Sequence, residues 1–135
     1  MYVDASALVA MIVGETDADA LLSALEESDS KRITAPIAMF EAAVGIARIR
    51  ACPPADARAL VHDFLREAEI AIVPIDERHG DLAVAAMERF GKGRHPAALN
   101  TGDCFAYAVA MVERVSILYK GDDFSRTDLV AAWRT

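Results

Sequence analysis

The sequence predicts an α/β fold with a mostly parallel central sheet, and three observations carry this. Short apolar or β-branched segments ("YVD", "KRITA", "IAIVPI", "SILYK") alternate with longer stretches of helical periodicity, the order that builds layered βα units. The 135 residues suit one domain, 1–135, large enough to hide a core without disulfide or metal staples. Hydrophobic residues make up 54% of the chain, yet 27 of the 135 are alanine, so much of the apolar content is helix-forming and suited to close packing.

Tyr2–Asp4 is expected as the end of a first strand, and Ala5–Val13 as a short helix stopped by Gly14. Asp17 is placed to cap a second helix that carries Leu21, Leu22 and Leu25 on one face. "KRITA" reads as a brief strand running into Pro36, whose fixed φ suits a first helical turn. The helix from Pro36 to Arg50 has Ile37, Phe40, Val44 and Ala47 at i, i+3, i+7 and i+10, so that face is expected in the core; "CPP" ends it. A helix over Ala55–Glu69 leads to "IAIVPI", a continuous run of the kind buried on both faces of a parallel sheet. Glu77–Phe90 is a further helix, "GKGRHPAALNTG" a glycine-rich basic loop, and Gly102–Val115 another helix. "SILYK" is a strand running into "GDDF", and "DLVAAW" fits either a last edge strand or a turn of helix.

Composition narrows the function classes. No apolar run approaches the ~20 residues that cross a bilayer, and the N-terminus has neither the basic flank nor the small-residue cleavage site of a signal peptide. Cys52 and Cys104 have no CxxC or paired-histidine spacing, which argues against a zinc site or a disulfide framework and for a reduced, cytoplasmic setting. The net charge of −7 argues against a general basic surface for nucleic acid. It leaves room for a nucleic-acid enzyme, because carboxylates that bind cations also lower the formal charge, and a basic partner chain can supply the missing positive field.

The aspartates then become informative. Ligands of open α/β sheets bind outside the carboxyl ends of the strands. Asp4 closes the first strand, where an ordinary turn would prefer glycine or asparagine. Asp122 and Asp123 follow "SILYK" after one glycine, and Asp103 begins a helix just after "LNTG". Glu41 lies within the apolar stripe of its helix, where a lone charge is costly. Each acid also has a plain structural reading. Asp103 can serve a helix dipole, Asp122 and Asp123 a turn, and Glu41 can reach solvent or pair with Arg48 or Lys31. Converging together, the acids would hold protons or a hard divalent cation such as Mg2+ or Mn2+. His62, His79 and His95 show no HxxxH spacing, so a zinc hydrolase fits poorly.

"VDASAL", "FEAAVGI", "GKGRHPAALNTGDCFAYAVA" and "LYKGDDFSRTDL", in this order over nearly the whole chain, resemble the PIN-domain ribonucleases of the VapC toxin type. The resemblance implies a three-layer α/β/α PIN-like domain and an endoribonuclease that cleaves structured RNA, tRNA or rRNA, by Mg2+- or Mn2+-assisted phosphodiester hydrolysis. Its metal-binding acids would be Asp4, Glu41, Asp103 and one of Asp122 and Asp123, with Asp123 favoured. Ser6 matches a small hydroxyl residue that helps orient the site. Lys92, Arg94 and His95 are candidates for RNA phosphates, Lys120 and Arg126 weaker ones, and Phe124 and Tyr107 candidates for base stacking. The resemblance further implies a VapB-type antitoxin that lies against the early helices and brings an arginine near the acids, and a homodimer.

Two other classes compete. A receiver-like phosphoacceptor needs an acidic pair after the first strand, and a haloacid-dehalogenase-like phosphatase needs Asp-x-Asp there; the chain has Asp4-Ala5-Ser6. A PIN-fold binding module without nuclease activity is the remaining alternative.

Overall fold

The computed structural model describes residues 1–132. Strand β1 (Tyr2–Val3) is followed by α1 (Ala5–Val13) and α2 (Ala18–Glu27), and β2 (Ile33–Thr34) by α3 (Pro36–Arg50) and α4 (Pro54–Glu67). Strand β3 (Ala71–Ile72) leads into α5 (Glu77–Phe90) and α6 (Thr101–Glu113), and β4 (Ile117–Leu118) is followed by a 3-10 turn at Phe124–Arg126. All strand pairs are parallel, in the order β3-β2-β1-β4.

This order has a consequence for the faces. The chain steps from β1 through β2 to β3, then doubles back to lay β4 on the other side of β1. Right-handed crossovers stepping in opposite directions place their helices on opposite faces of the sheet. Side-chain alternation along the strands feeds both faces. Met1, Val3 and Leu118 pack with Leu8, Leu21, Ile46 and Val61, while Tyr2, Ile33 and Ile117 pack with Ala83, Phe90 and Val109. The result is the α/β/α sandwich expected from the sequence, with β1 at the point where the winding reverses.

Several elements differ from expectation for identifiable reasons. The "IAIVPI" run is not buried on both faces. β3 pairs only with β2, so it is an edge strand, and Ile72 is 39% exposed. The run is apolar because Ile70 packs into the α1–α4 layer while Val73 and Ile75 pack against the opposite one. On α3 the buried face is Ala38, Ala42, Ala43, Ile46 and Ala47, while Phe40 is 66% exposed. Alanines and Gly45 let α1 come close: a Cβ on Gly45 would sit 3.5 Å from Cγ2 of Val9. Asp17 occupies the N-cap of α2 without making a cap bond; its carboxylate instead faces Lys120 Nζ at 3.8 Å. Of "DLVAAW", Val130 and Ala132 bond the backbone of Ile117 at 2.9 and 2.8 Å and extend the sheet edge; Trp133 lies outside the described residues.

Ile46 is 0% exposed and Val84 is 71% exposed, so they make a matched test of this packing. Ile46→Ala should lower unfolding free energy in urea by roughly 2–5 kcal/mol, and Val84→Ala by no more than about 0.5 kcal/mol; equal effects would contradict the assigned layers.

Candidate active site

Asp4 leaves β1 at the reversal point and caps α1. Its backbone N–H donates to the Leu118 carbonyl at 2.9 Å, which holds it beside the exit of β4. Its Oδ2 accepts the Ser6 backbone N–H at 3.0 Å and the Ser6 hydroxyl at 2.6 Å, and Ser6 Oγ in turn accepts the Lys120 N–H at 3.0 Å. One serine thus locks the carboxylate and ties together the ends of two adjacent strands. An N-cap aspartate is ordinary; one that is only 8% exposed is not.

Asp103 is fixed by a second capping arrangement. Asn100 Oδ1 accepts the Asp103 N–H at 2.9 Å, and Asp103 Oδ2 accepts the Asn100 N–H at 3.0 Å, so the side chain is folded back over the first turn of α6. Glu41 comes from α3 and crosses to this turn. A Cβ built on Gly102 would fall on the Glu41 carboxylate and lie 2.6 Å from its Cδ, so a larger residue would push that carboxylate from its present place. Sequence reasoning passed over Asn100 and Gly102 as site residues, although the signals were present. Asn-x-x-Asp is a capping pattern, and glycine is a poor choice for a first helical turn unless something must approach it.

After β4, Gly121 takes φ 107°, a left-handed value that suits glycine and turns the chain toward Asp122 and Asp123. The two acids differ electrostatically. Asp123 helps to raise the pKa of both Asp4 and Asp103, whereas Asp122 raises that of Asp123, and the Asp122 carbonyl accepts the Ser125 hydroxyl at 2.7 Å.

Four carboxyls therefore share one electrostatic environment, all shifted the same way. Burial pushes Asp103 up to about 7, opposed by the Asn100 amide and reinforced by the charges of Asp4, Asp123 and Glu41. Burial likewise raises Asp4 against its Ser6 and Ala5 hydrogen bonds, with Asp123 adding to the rise. It also raises Glu41, with help from Asp4, and Asp123, with help from Asp122. Glu41 pairs with neither Arg48 nor Lys31; the Lys31 ammonium meets Glu113 at 2.6 Å. Lys120, one of the weaker phosphate candidates, is paired with Glu15.

Among the described residues no three acidic, histidine or cysteine side chains stand close enough to grip an ion as they are. The donor set is nonetheless all-carboxylate, backed at Asp4 and Asp103 by fixed hydrogen bonds and paired with no basic side chain among the described residues, which fits a hard divalent ion and not zinc.

The remaining candidates divide. Lys92 and Arg94 are exposed on a loop closed by the Gly91–Leu99 bridge, so the loop leads directly into Asn100 and α6. His95 uses Nδ1 to accept the Ala97 N–H at 3.0 Å and stacks edge-on against Phe90. Arg126 is exposed beside the 3-10 turn. Phe124 and Tyr107 are 2% and 5% exposed, so neither can stack on a base: Phe124 packs on Tyr119, and the Tyr107 hydroxyl donates to Asp128 at 2.8 Å. The exposed aromatic next to an acid is Phe40, adjacent to Glu41.

Comparison with known proteins agrees with this architecture. The family model described as PIN domain matches residues 1–130. The chain is 39% identical to a VapC ribonuclease of Rhizobium meliloti, over 95% of this chain and 98% of the relative. It is 40% identical to ribonuclease VapC28 of Mycobacterium tuberculosis, over 98% of this chain and 97% of that one. Among solved structures, Mycobacterium tuberculosis VapC20, a sarcin-ricin loop cleaving toxin, superposes with a TM-score of 0.77 at 14% identity, covering 96% of this chain and 95% of that one. A toxin–antitoxin complex from Klebsiella pneumoniae gives a TM-score of 0.68 at 19% identity, covering 99% and 98%. With a family match across residues 1–130 and near-full-length relatives at about 40% identity, the chain belongs to the PIN-domain family, among its VapC ribonucleases.

Proposed function

We propose that the protein is an endoribonuclease toxin that hydrolyses phosphodiester bonds of structured RNA, tRNA or rRNA, with Mg2+ or Mn2+ held by Asp4, Glu41, Asp103 and Asp123. The observation that carries this reading is the shared upward shift of four carboxyls from four separate chain segments, none paired with a basic side chain among the described residues. A divalent ion bound there supplies Lewis-acid polarisation of the phosphoryl group and a more acidic water. Asp4 and Asp103, the two most enclosed acids, are rigid ligands because their capping bonds already set their orientation. Asp123 would add a ligand from the β4 side, with Asp122 as its neighbour in the chain. Glu41 is half-buried on a longer, unbonded side chain, so its carboxylate can take a proton from the attacking water. Ser6 is a positioning residue for Asp4, and Lys92 and Arg94 receive RNA phosphates along the loop that enters α6.

The same uncompensated acids suit neutralisation by a VapB-type antitoxin, since a basic segment lying on a chain of net charge −7 is favoured by the long-range field. A homodimer and a cytoplasmic location complete the reading. Among the described residues no helix is long and apolar enough to cross a membrane.

The alternative, a binding module without nuclease activity, is decided by Asp4→Asn. The variant should lose at least about 100-fold in Mn2+-dependent RNA cleavage, in line with loss of a group acting directly on the chemistry. Equal cleavage by wild type and variant would remove the nuclease reading. Gly102→Ala separates position from fold. Alanine favours a helix by up to about 1 kcal/mol over glycine, so unchanged or higher stability with at least about tenfold lower cleavage is expected. Full activity would show that Glu41 needs no cradle.

The pH dependence has a defined sign. Asp103 binds its proton with a value of about 7 when folded and 3.8 when unfolded, so between these values the folded chain holds the extra proton. Its contribution to stability is present below the unfolded value and is lost as pH rises through about 7. Metal-free melting temperature should therefore fall from pH 5 to pH 8, less so in Asp103→Asn. Mn2+ should raise it more at pH 8 than at pH 5, because binding must expel protons. A melting temperature that climbs over this window in wild type would contradict the buried acid cluster.

A further inference from the structure

Lys120 follows β4 by two residues and directly precedes Gly121, the pivot of the turn that carries Asp122 and Asp123. Its ammonium is not spent on those acids. It pairs with Glu15 and faces Asp17 Oδ2 at 3.8 Å. Its backbone N–H donates to Ser6 Oγ at 3.0 Å. These contacts fall at opposite ends of α1. Ser6 lies in the first turn, while Glu15 and Asp17 come after Gly14, the left-handed residue (φ 77°) that ends the helix. One residue therefore straps both ends of α1, a rod of about 14 Å, to the exit of β4.

The strap joins two segments that their own charges push apart. Asp4 caps the start of α1, and Asp123 lies three residues beyond Lys120. The charge on Asp123 acts against that on Asp4. Past Lys120 the turn is unpacked: a Cβ on Gly121 would meet nothing within 4 Å, and the next buried side chain is Phe124, set against Tyr119. An ordinary surface ion pair would account for a lysine between two acids. It would not account for the same lysine holding, through its backbone, the serine that locks Asp4.

We propose that Lys120, clamped by Glu15 and Asp17, is a positioning residue of the proposed metal centre and fixes the separation of Asp4 and Asp123 so that one cation can reach both. This rests on the metal-dependent reading above. Lys120 touches neither the metal nor the RNA; it acts through Ser6 on Asp4 and through Gly121 on Asp123. Glu15 and Asp17, acids outside the cluster, gain a role in it.

The test titrates Mn2+ calorimetrically into full-length wild type, Lys120→Met, Lys120→Arg, Glu15→Gln and the Lys120→Met/Glu15→Gln double variant, with RNA cleavage in parallel. Lys120→Met keeps an apolar stem and removes the charge. Its metal-free melting temperature should stay close to wild type, since partly exposed ion pairs add little to stability. Its Mn2+ affinity should fall about 10-fold or more, the usual scale for loss of a group that orients a ligand, and kcat should fall with KM for RNA unchanged. Lys120→Arg, which keeps the charge and the reach, should recover most of the affinity. Glu15→Gln should move affinity and kcat the same way, less far because Asp17 remains, and it serves alone should Lys120→Met melt far below wild type. The double variant should lose no more than Lys120→Met, because both changes break one link.

A Lys120→Met affinity within about twofold of wild type, or losses that add in the double variant, would overturn the proposal and leave the nuclease reading intact. So would a raised KM with Mn2+ affinity unchanged, which would make Lys120 a direct contact of the RNA. No Mn2+ uptake by wild type would overturn both.

Discussion

Mutual repulsion among carboxylates drawn to one edge of the sheet, two of them buried and none paired with a basic side chain among the described residues, is the constraint around which the rest of the structure is arranged. Two unit charges about 4 Å apart cost roughly 4 kcal/mol at an effective dielectric of 20 and less at greater separation; here Asp4 and Asp123 both raise Asp103, Asp123 raises Asp4, and Asp4 raises Glu41. A stable domain can carry that load only if the surrounding scaffold is rigid enough to prevent the acids from turning to solvent. The basic side chains nearby do not relieve it. Lys120 is held by Glu15 and Asp17, and Lys31 by Glu113, both outside the cluster.

The scaffold answers with local geometry. Ser6 and Asn100 each give a carboxylate fixed hydrogen bonds at a helix start, where the helix dipole also favours negative charge. Gly102 removes a side chain so that Glu41 can cross from α3 to α6. The alanine-rich faces of α1 and α3 permit the close approach that brings these helix ends to one rim. Each of these is a small-residue choice that would look like filler in isolation. Their effect is to place acids from four chain segments at the reversal of the sheet winding, the place where open α/β sheets leave a crevice.

The arrangement also reconciles an acidic protein with a polyanionic substrate. A net charge of −7 opposes RNA at long range. At short range a divalent cation, if held by these carboxylates as proposed, would invert the local field, and the exposed Lys92 and Arg94 lie on the loop that enters the same helix start. An acid-lined rim of this kind is receptive to basic partners for the same reason that it would favour a cation.

How much of this was legible in the chain depends on the range of the interaction that decides it. Helix limits at Pro36–Arg50 and Glu77–Phe90, the alternation of strands and helices, and the placement of Asp4 beside a strand end all follow from local rules of capping, periodicity and backbone preference. Which face of α3 is buried, whether "IAIVPI" lies at the centre or the edge, and whether Phe124 and Tyr107 are free to meet a base were beyond those rules. Each depends on what packs opposite. The role of Gly102 was hidden for the same reason, since a glycine's missing side chain acquires meaning only against Glu41. The sequence by itself determined the elements and the kinds of ligand atom available. Only the tertiary structure decided which acids meet, because their repulsion is overcome by contacts between segments dozens of residues apart, and such contacts leave no periodic trace along a chain.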